Sequence, residues 1–200
     1  MNVVFDSMGT LFDLAPIRER LGVAATEAWF ERILHSAASL TIVGEFVPFA
    51  ELARTTLATT AAKLGLEVDQ GDVLQQLQQL PPAADTRNAL EVAEHAFVLT
   101  NGGRAAGEQL LERAGLDGYV ERVFGVDEVK AYKPDPRPYR FVLDEIGDAT
   151  LVATHAWDVV GAVKAGMHAV WVQRDEQKWP FPEAIAPHAT APDLVRAIRP

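Results

Sequence analysis

The stretch that most constrains this chain is Val3-Val4-Phe5-Asp6-Ser7-Met8-Gly9-Thr10-Leu11-Phe12-Asp13. Its opening apolar run is too short for a helix and ends in a carboxylate, and Gly9 then lets the backbone turn sharply away. This predicts a buried strand with Asp6 at its carboxyl end. In open α/β sheets, ligands bind in the crevice beyond the carboxyl ends of the strands, so an acid delivered there is a candidate nucleophile. Taken alone, Asp6 reads better as a turn or helix cap, a common use of aspartate.

Three later stretches supply the parts of one site. Phe97-Val98-Leu99-Thr100-Asn101-Gly102-Gly103 repeats the first pattern, an apolar strand followed by polar groups on a glycine turn. The Thr100 hydroxyl, the Asn101 amide and the free N–H groups of such a turn can hold an anionic or electron-rich group, although a Thr/Asn helix cap fits the same residues. In Tyr132-Lys133-Pro134-Asp135-Pro136-Arg137-Pro138-Tyr139 the prolines fix the backbone, so Lys133 is presented rigidly just before a helix start. Near Asp6 it would keep that carboxylate ionised and offset charge during attack. Leu151-Val152-Ala153-Thr154-His155-Ala156-Trp157-Asp158 ends with Asp158 just inside the helix after its strand, where an acid also simply complements the helix dipole.

Asp6 with Gly9-Thr10, then Thr100-Asn101-Gly102, Lys133-Pro134 and Asp158, resembles the four ordered motifs of the haloacid dehalogenase superfamily. Across nearly the full chain the resemblance is closest to its 2-haloacid dehalogenase branch. It implies an ester formed on Asp6 and cleaved by water, with Lys133 and Asp158 completing the catalytic group. Asp158 would hold Lys133, position a hydrolytic water, or share a metal with Asp6. Thr10, Thr100, Asn101 and Tyr139 would form the substrate-binding group; Tyr139 stands in register with a tyrosine of the branch, though it also suits a packed core position. His155 replaces an asparagine typical of the branch. It titrates near neutrality, so it can serve as the base that activates water; a structural histidine is the plainer alternative.

Two departures bear on the chemistry. Phosphatases of the superfamily carry an aspartate two residues after the nucleophile to protonate a leaving alkoxide, a task worth roughly 10²–10⁴-fold. Here that residue is Met8, which favours a group such as halide that leaves without a proton. The branch also places a substrate-clamping arginine directly after a tryptophan on the second cap helix, but Trp29 is followed by Phe30. Arg32 lies about 200° around the helix from Phe30 and faces away, so a carboxylate would lose its bidentate partner.

Between Leu14 and about Leu80, strand-like runs vanish. Helices are expected from Ala15 to Leu21, from a cap at Thr26 along the stripe Trp29, Ile33, Ala37 and Leu40 to Gly44, from Phe49 to Leu64, and around Val73, Leu74 and Leu77. Residues 14–80 therefore form a helical cap inserted after the first strand; residues 1–13 and 81–200 form the catalytic core. In the core, strands at Ala96–Leu99, Arg122–Phe124, Leu151–Ala153 and His168–Val172 alternate with helices. This predicts an α/β fold, a doubly wound parallel sheet of Rossmann-like type with right-handed crossovers. The proline-rich tail between Pro180 and Pro192 is expected to be surface loop before a last helix near Leu194 to Ile198.

A formal net charge of −10 argues against nucleic-acid partners, which need clustered Lys and Arg. The partner expected is a small molecule, anionic on the strength of the resemblance. The amino terminus enters the first strand without a signal peptide, and no apolar run approaches the roughly 20 residues of a membrane span. No membrane partner follows, and the absence of cysteine fits a cytoplasmic protein. An apolar cap stripe could serve a homodimer as well as lid closure. No cofactor is expected, since Thr154 stands where metal-dependent members of the superfamily often carry a further acid; Mg²⁺ on Asp6 and Asp158, with water completing the octahedron, is the alternative. Two other functions are open: a Mg²⁺-dependent phosphatase of a small metabolite, and a catalytically weak ligand-binding protein.

Overall fold

The structure is a computed structural model that describes residues 1–174 and 176–198. Six strands form one sheet: β1 (Asn2–Asp6), β2 (His95–Thr100), β3 (Arg122–Gly125), β4 (Ala149–Ala153), β5 (His168–Val172) and β6 (Ala189–Ala191). They lie in the order β3-β2-β1-β4-β5-β6, and every pairing is parallel. Parallel strands need long crossovers; α5 (Thr86–Val92), α6 (Arg104–Ala114), α7 (Pro136–Ile146) and α8 (Ala156–Ala165) lie in them, and α9 (Leu194–Ile198) follows β6.

Successive strand residues point to opposite faces, and the core divides accordingly. Val3, Phe5, Val98, Val152 and Val170 pack on one face with Leu90 of α5, Leu110 of α6 and Leu194 of α9. Val4, Phe97, Leu99, Leu151 and Trp171 pack on the other with Val142 of α7 and Val159 of α8. A sheet covered on both sides is the doubly wound arrangement expected. The chain runs from β1 outward through β2 to β3, then crosses back to β4 on the other flank of β1. The strand order reverses at β1, so its carboxyl end opens into the crevice where such sheets bind ligands.

Between β1 and α5 the chain builds α1 (Ala15–Leu21), α2 (Val23–Ile42), α3 (Phe49–Leu64) and α4 (Gln70–Leu77). The two crossings into and out of this helical insertion run side by side: Asp13 N donates to Pro81 O at 2.8 Å and Ala83 N to Leu11 O at 2.8 Å. Inside it the Trp29 indole N–H is shared between Ala53 O and the Thr56 hydroxyl, both at 3.1 Å, which ties α2 to α3. The insertion also docks on the Lys133 loop. Tyr132 N donates to the Thr41 hydroxyl at 3.1 Å, its phenol donates to Val47 O at 2.7 Å, and its ring stacks on Phe46.

Two local expectations are corrected. Thr26 does not cap α2: the helix starts at Val23 behind Gly22, whose φ of 80° makes the turn, and the Thr26 hydroxyl donates back to Gly22 O at 2.9 Å. The proline-rich tail is not all loop, because β6 adds an edge strand there beside Val170–Val172. Among the described residues, no helix is long and apolar enough to cross a membrane.

Candidate active site

The turn after β1 wraps around one carbonyl. Ser7 O accepts from Leu11 N at 2.8 Å and Phe12 N at 3.0 Å, which leaves the Asp6 side chain facing the crevice. Gly9 has φ +82°, and a β-carbon there would stand 2.6 Å from His155 Cε1. Glycine is thus required twice, for the backbone and for the ring packed against it. Arg174, following β5, fixes the same turn from outside by donating to Gly9 O at 3.1 Å and Thr10 O at 2.8 Å.

Asp6 is 5 % exposed and both of its oxygens are engaged. Lys133 Nζ donates to Oδ1 at 2.8 Å; the Thr10 hydroxyl donates to Oδ2 at 2.8 Å, with His155 Nδ1 3.1 Å from the same oxygen. Burial alone would push the Asp6 carboxyl up, but the charges of Lys133 and His155 outweigh it and hold the group ionised, well below the usual carboxylate range. The Lys133 ammonium is itself buried. Its three protons go to Asp6, to Asp158 Oδ2 at 2.7 Å and to Leu99 O at 2.9 Å, which saturates it. Burial disfavours its charge, yet Asp158 and Asp6 raise its pKa above the ordinary value. The backbone before the ammonium is pinned as well, since Lys133 N donates to Asn101 Oδ1 at 2.9 Å.

Asp158, in the first turn of α8, is fully buried. Its second oxygen accepts from the Tyr139 phenol at 2.5 Å. Burial, helped by the nearby Asp6 charge, pushes the Asp158 carboxyl up against the pull of Lys133 and Tyr139. The same burial, with the Asp158 charge, raises the phenol and keeps it a donor. His155 precedes α8 and stacks on Trp157 with ring centroids 5.3 Å apart. Burial pulls its imidazole down, but the hydrogen bond and charge of Asp6 prevail and raise it above its ordinary pKa.

The crevice holds a cavity of about 450 Å³, with Asp6, Met8, Thr100, Asn101, His155 and Trp157 at its floor. A second cavity of about 570 Å³ adjoins it and shares Met8, Phe49, Asn101 and Gly102. All eight residues singled out from the sequence gather here, but in two layers. Asp6, His155, Thr100 and Asn101 face the cavity, whereas Thr10 and Tyr139 are wholly buried and absent from its lining. The expectation that those two touch substrate is therefore corrected: their hydroxyls point at the carboxylates of Asp6 and Asp158. Thr10 also bonds across the sheet, accepting from Thr154 N at 3.1 Å, so it ties the β1 turn to the β4 turn. Thr100 uses its hydroxyl oxygen to accept from Gly102 N at 2.9 Å.

Three contributors escaped the sequence reading. Arg174 follows a strand with nothing to mark it. Trp157 is one of several aromatics until its ring meets His155. Gly161 is required because a β-carbon there would stand 2.6 Å from the Tyr139 phenol oxygen; a small residue one turn after Asp158 was the available signal.

The donor set does not fit Mg²⁺. The ion needs open carboxylate oxygens in an octahedron, but Lys133 Nζ bridges Asp6 and Asp158, and Thr10 with His155, and Tyr139, engage the remaining oxygens. Among the described residues, no group of three or more His, Asp or Glu side chains is placed to hold a metal ion.

Comparison with known proteins gives this arrangement a lineage. Residues 1–166 match the haloacid dehalogenase-like hydrolase family. The (S)-2-haloacid dehalogenase 4A of Burkholderia cepacia is 30% identical over 189 residues, covering 86% of this chain and 82% of that protein. The (S)-2-haloacid dehalogenase of Xanthobacter autotrophicus is 28% identical over 213 residues, covering 98% and 84%. The structure of L-2-haloacid dehalogenase from Xanthobacter autotrophicus with chloropropionic acid covalently bound superposes with a TM-score of 0.87 at 25% identity, over 99% of this chain and 96% of that one. Matched over most of its length by family and relatives alike, this chain belongs to the haloacid dehalogenase-like hydrolases.

Proposed function

We propose that the chain is a hydrolytic dehalogenase acting on a small halogenated acid through an ester on Asp6. A carboxylate oxygen of Asp6 attacks the halogen-bearing carbon in line. The carbon–oxygen bond forms as the carbon–halogen bond breaks, and halide departs with the bonding pair. Water then attacks Cγ of the ester as His155 takes one of its protons; the Cγ–O bond to the substrate breaks, the departing alkoxide takes that proton from His155 to leave as the hydroxy acid, and the Asp6 carboxyl gives the other water proton to solvent to restore its carboxylate. Because the second step breaks the Cγ–O bond, the substrate carbon is inverted once.

Lys133 would offset negative charge on the Asp6 oxygen that it touches in both steps, while Asp158 and Tyr139 hold the ammonium in place. Thr10 would fix the carboxylate from behind. Thr100 and the Asn101 amide line the cavity and would receive the departing anion. Residues 14–80 would act as the cap that covers the site, with residues 1–13 and 81–200 as the catalytic core, and the protein would work in the cytoplasm. No metal step is proposed, for the donor reasons given above.

The observation that carries this reading is the Asp6 carboxylate at the cavity floor, held by Lys133 at 2.8 Å and touched by His155 at 3.1 Å. Multiple turnovers of a 2-haloacid in ¹⁸O-labelled water should place label in Asp6, and Asp6→Asn should lose turnover. Label confined to the product, or full activity of Asp6→Asn, would overturn it. The phosphatase alternative has less support, because Met8 lines the cavity and cannot protonate an alkoxide.

A further inference from the structure

The site offers a substrate far more wall than charge. Each Lys133 proton already has an acceptor within the protein, so none is left for a substrate carboxylate. Position 30 of α2 faces the cavity with Phe30, set edge-on against Trp29. Among the described residues lining the cavity, Arg18 is the one arginine or lysine, and it shares that lining with Glu27 and Glu31, one helical turn apart. Such a mouth gives an anion little electrostatic attraction. The walls, by contrast, include Leu14, Phe30, Ile33, Phe49, Tyr132 and Trp157. The cavity volume of about 450 Å³ lies within the roughly 300–1,000 Å³ of pockets that take drug-sized ligands. At about 30 Å³ per liquid water it would hold on the order of fifteen waters, and a three-carbon haloacid has fewer than half as many non-hydrogen atoms.

We propose that the preferred substrate is a 2-halogenated acid carrying a bulky apolar substituent, an aryl group or an alkyl chain of about four carbons or more, and that burial of this substituent against the insertion selects it. The inference rests on the displacement at Asp6 and specifies the substrate class of that same site. Recognition by area has a quantitative signature: each methylene moved from water into an apolar wall raises kcat/KM about fourfold. From 2-chloropropionate to 2-chlorohexanoate the gain is roughly 60-fold, and 2-chloro-3-phenylpropanoate should stand with the longer acids.

The test measures halide release and, by intact mass after rapid quench, the Asp6 ester across the series from chloroacetate to those acids. A climb in kcat/KM with substituent size supports the inference. A flat or falling series in which the ester still forms overturns it and leaves the dehalogenase reading standing; no ester and no halide from any member overturns both. Leu34→Trp, which places bulk on the partly buried cavity wall, should cut the preference for 2-chlorohexanoate over 2-chloropropionate roughly tenfold or more. Because both acids are measured on one preparation, partial misfolding cancels in that ratio. An unchanged ratio would refute the assigned wall.

Discussion

Lys133→Met removes the cation from between two buried carboxylates while nearly keeping the volume of the side chain. Both partners stand within 2.8 Å of the ammonium, and Asp158, 0 % exposed, has no solvent to turn to. Breaking a buried pair by deleting one partner costs about 3–5 kcal/mol, since the remaining charge is left uncompensated. For a domain of this size that is a fall of about 6–20 °C in Tm. The pH dependence distinguishes this mechanism from lost packing. Without Lys133, burial and mutual repulsion push the folded-state pKa values of Asp6 and Asp158 above those of the unfolded chain, His155 offering only partial relief to Asp6. A carboxyl with a raised folded pKa costs nothing below its unfolded pKa; its penalty grows as pH rises from the unfolded value to the folded one and is constant above it. The stability gap between wild type and Lys133→Met should therefore be widest at pH 8 and narrow towards pH 5. Adding Asp158→Asn should recover part of it at pH 8. Urea unfolding followed by far-UV circular dichroism measures each term. A gap below about 1 kcal/mol at pH 8, where a buried pair should cost several times that, or one that stays constant down to pH 5, would refute the electrostatic account.

His155→Asn should slow hydrolysis of the Asp6 ester by roughly 10²–10⁴-fold with little change in its formation, so that the adduct accumulates in intact-mass spectra. In its proposed role as base the imidazole must be neutral, so wild-type kcat should rise with pH through the imidazole pKa, and this limb should vanish in the variant. Gly9→Ala forces an L side chain to φ +82° and drives a β-carbon into His155; it should cost about 1–2 kcal/mol for the backbone alone and show the same adduct by mass. Tyr139→Phe leaves a buried Asp158 oxygen without its donor, at a cost of about 1–3 kcal/mol in urea unfolding. EDTA should leave halide release unchanged, and a loss restored by Mg²⁺ would contradict the donor-set argument.

What could be read from the sequence was what local chain geometry decides. Asp6 and Thr100 each end an apolar strand and the Thr154–Asp158 turn follows one, and a parallel sheet sends every such end to one rim, so these three motifs had to meet. Neighbours on that rim are not neighbours in sequence: β1 lies between β2 and β4, which sets Asp6 between Asn101 and His155. Side-chain depth was not legible. Thr10 and Thr100 look alike in sequence, yet the first is locked behind Asp6 by Thr154 and the second lines the cavity, a difference fixed by a contact with a residue 144 positions away. The start of α2 misled because Gly22 caps without a side chain, and Thr26, a good capping residue, sits one turn later. β6 gave no signal because Ala-Thr-Ala has neither an apolar run nor branched bulk; its neighbour β5 makes it a strand. The same limit applies to the helical insertion. The helical period of α2 announces a buried stripe at Trp29, Ile33 and Ala37, but only the packed structure turns Phe30 and Leu34 towards Asp6. The turns that carry Asp6, Thr100 and His155 can therefore be read from strand ends, while the proposed substrate preference depends on Phe30 and Leu34, each one residue past a buried position of α2.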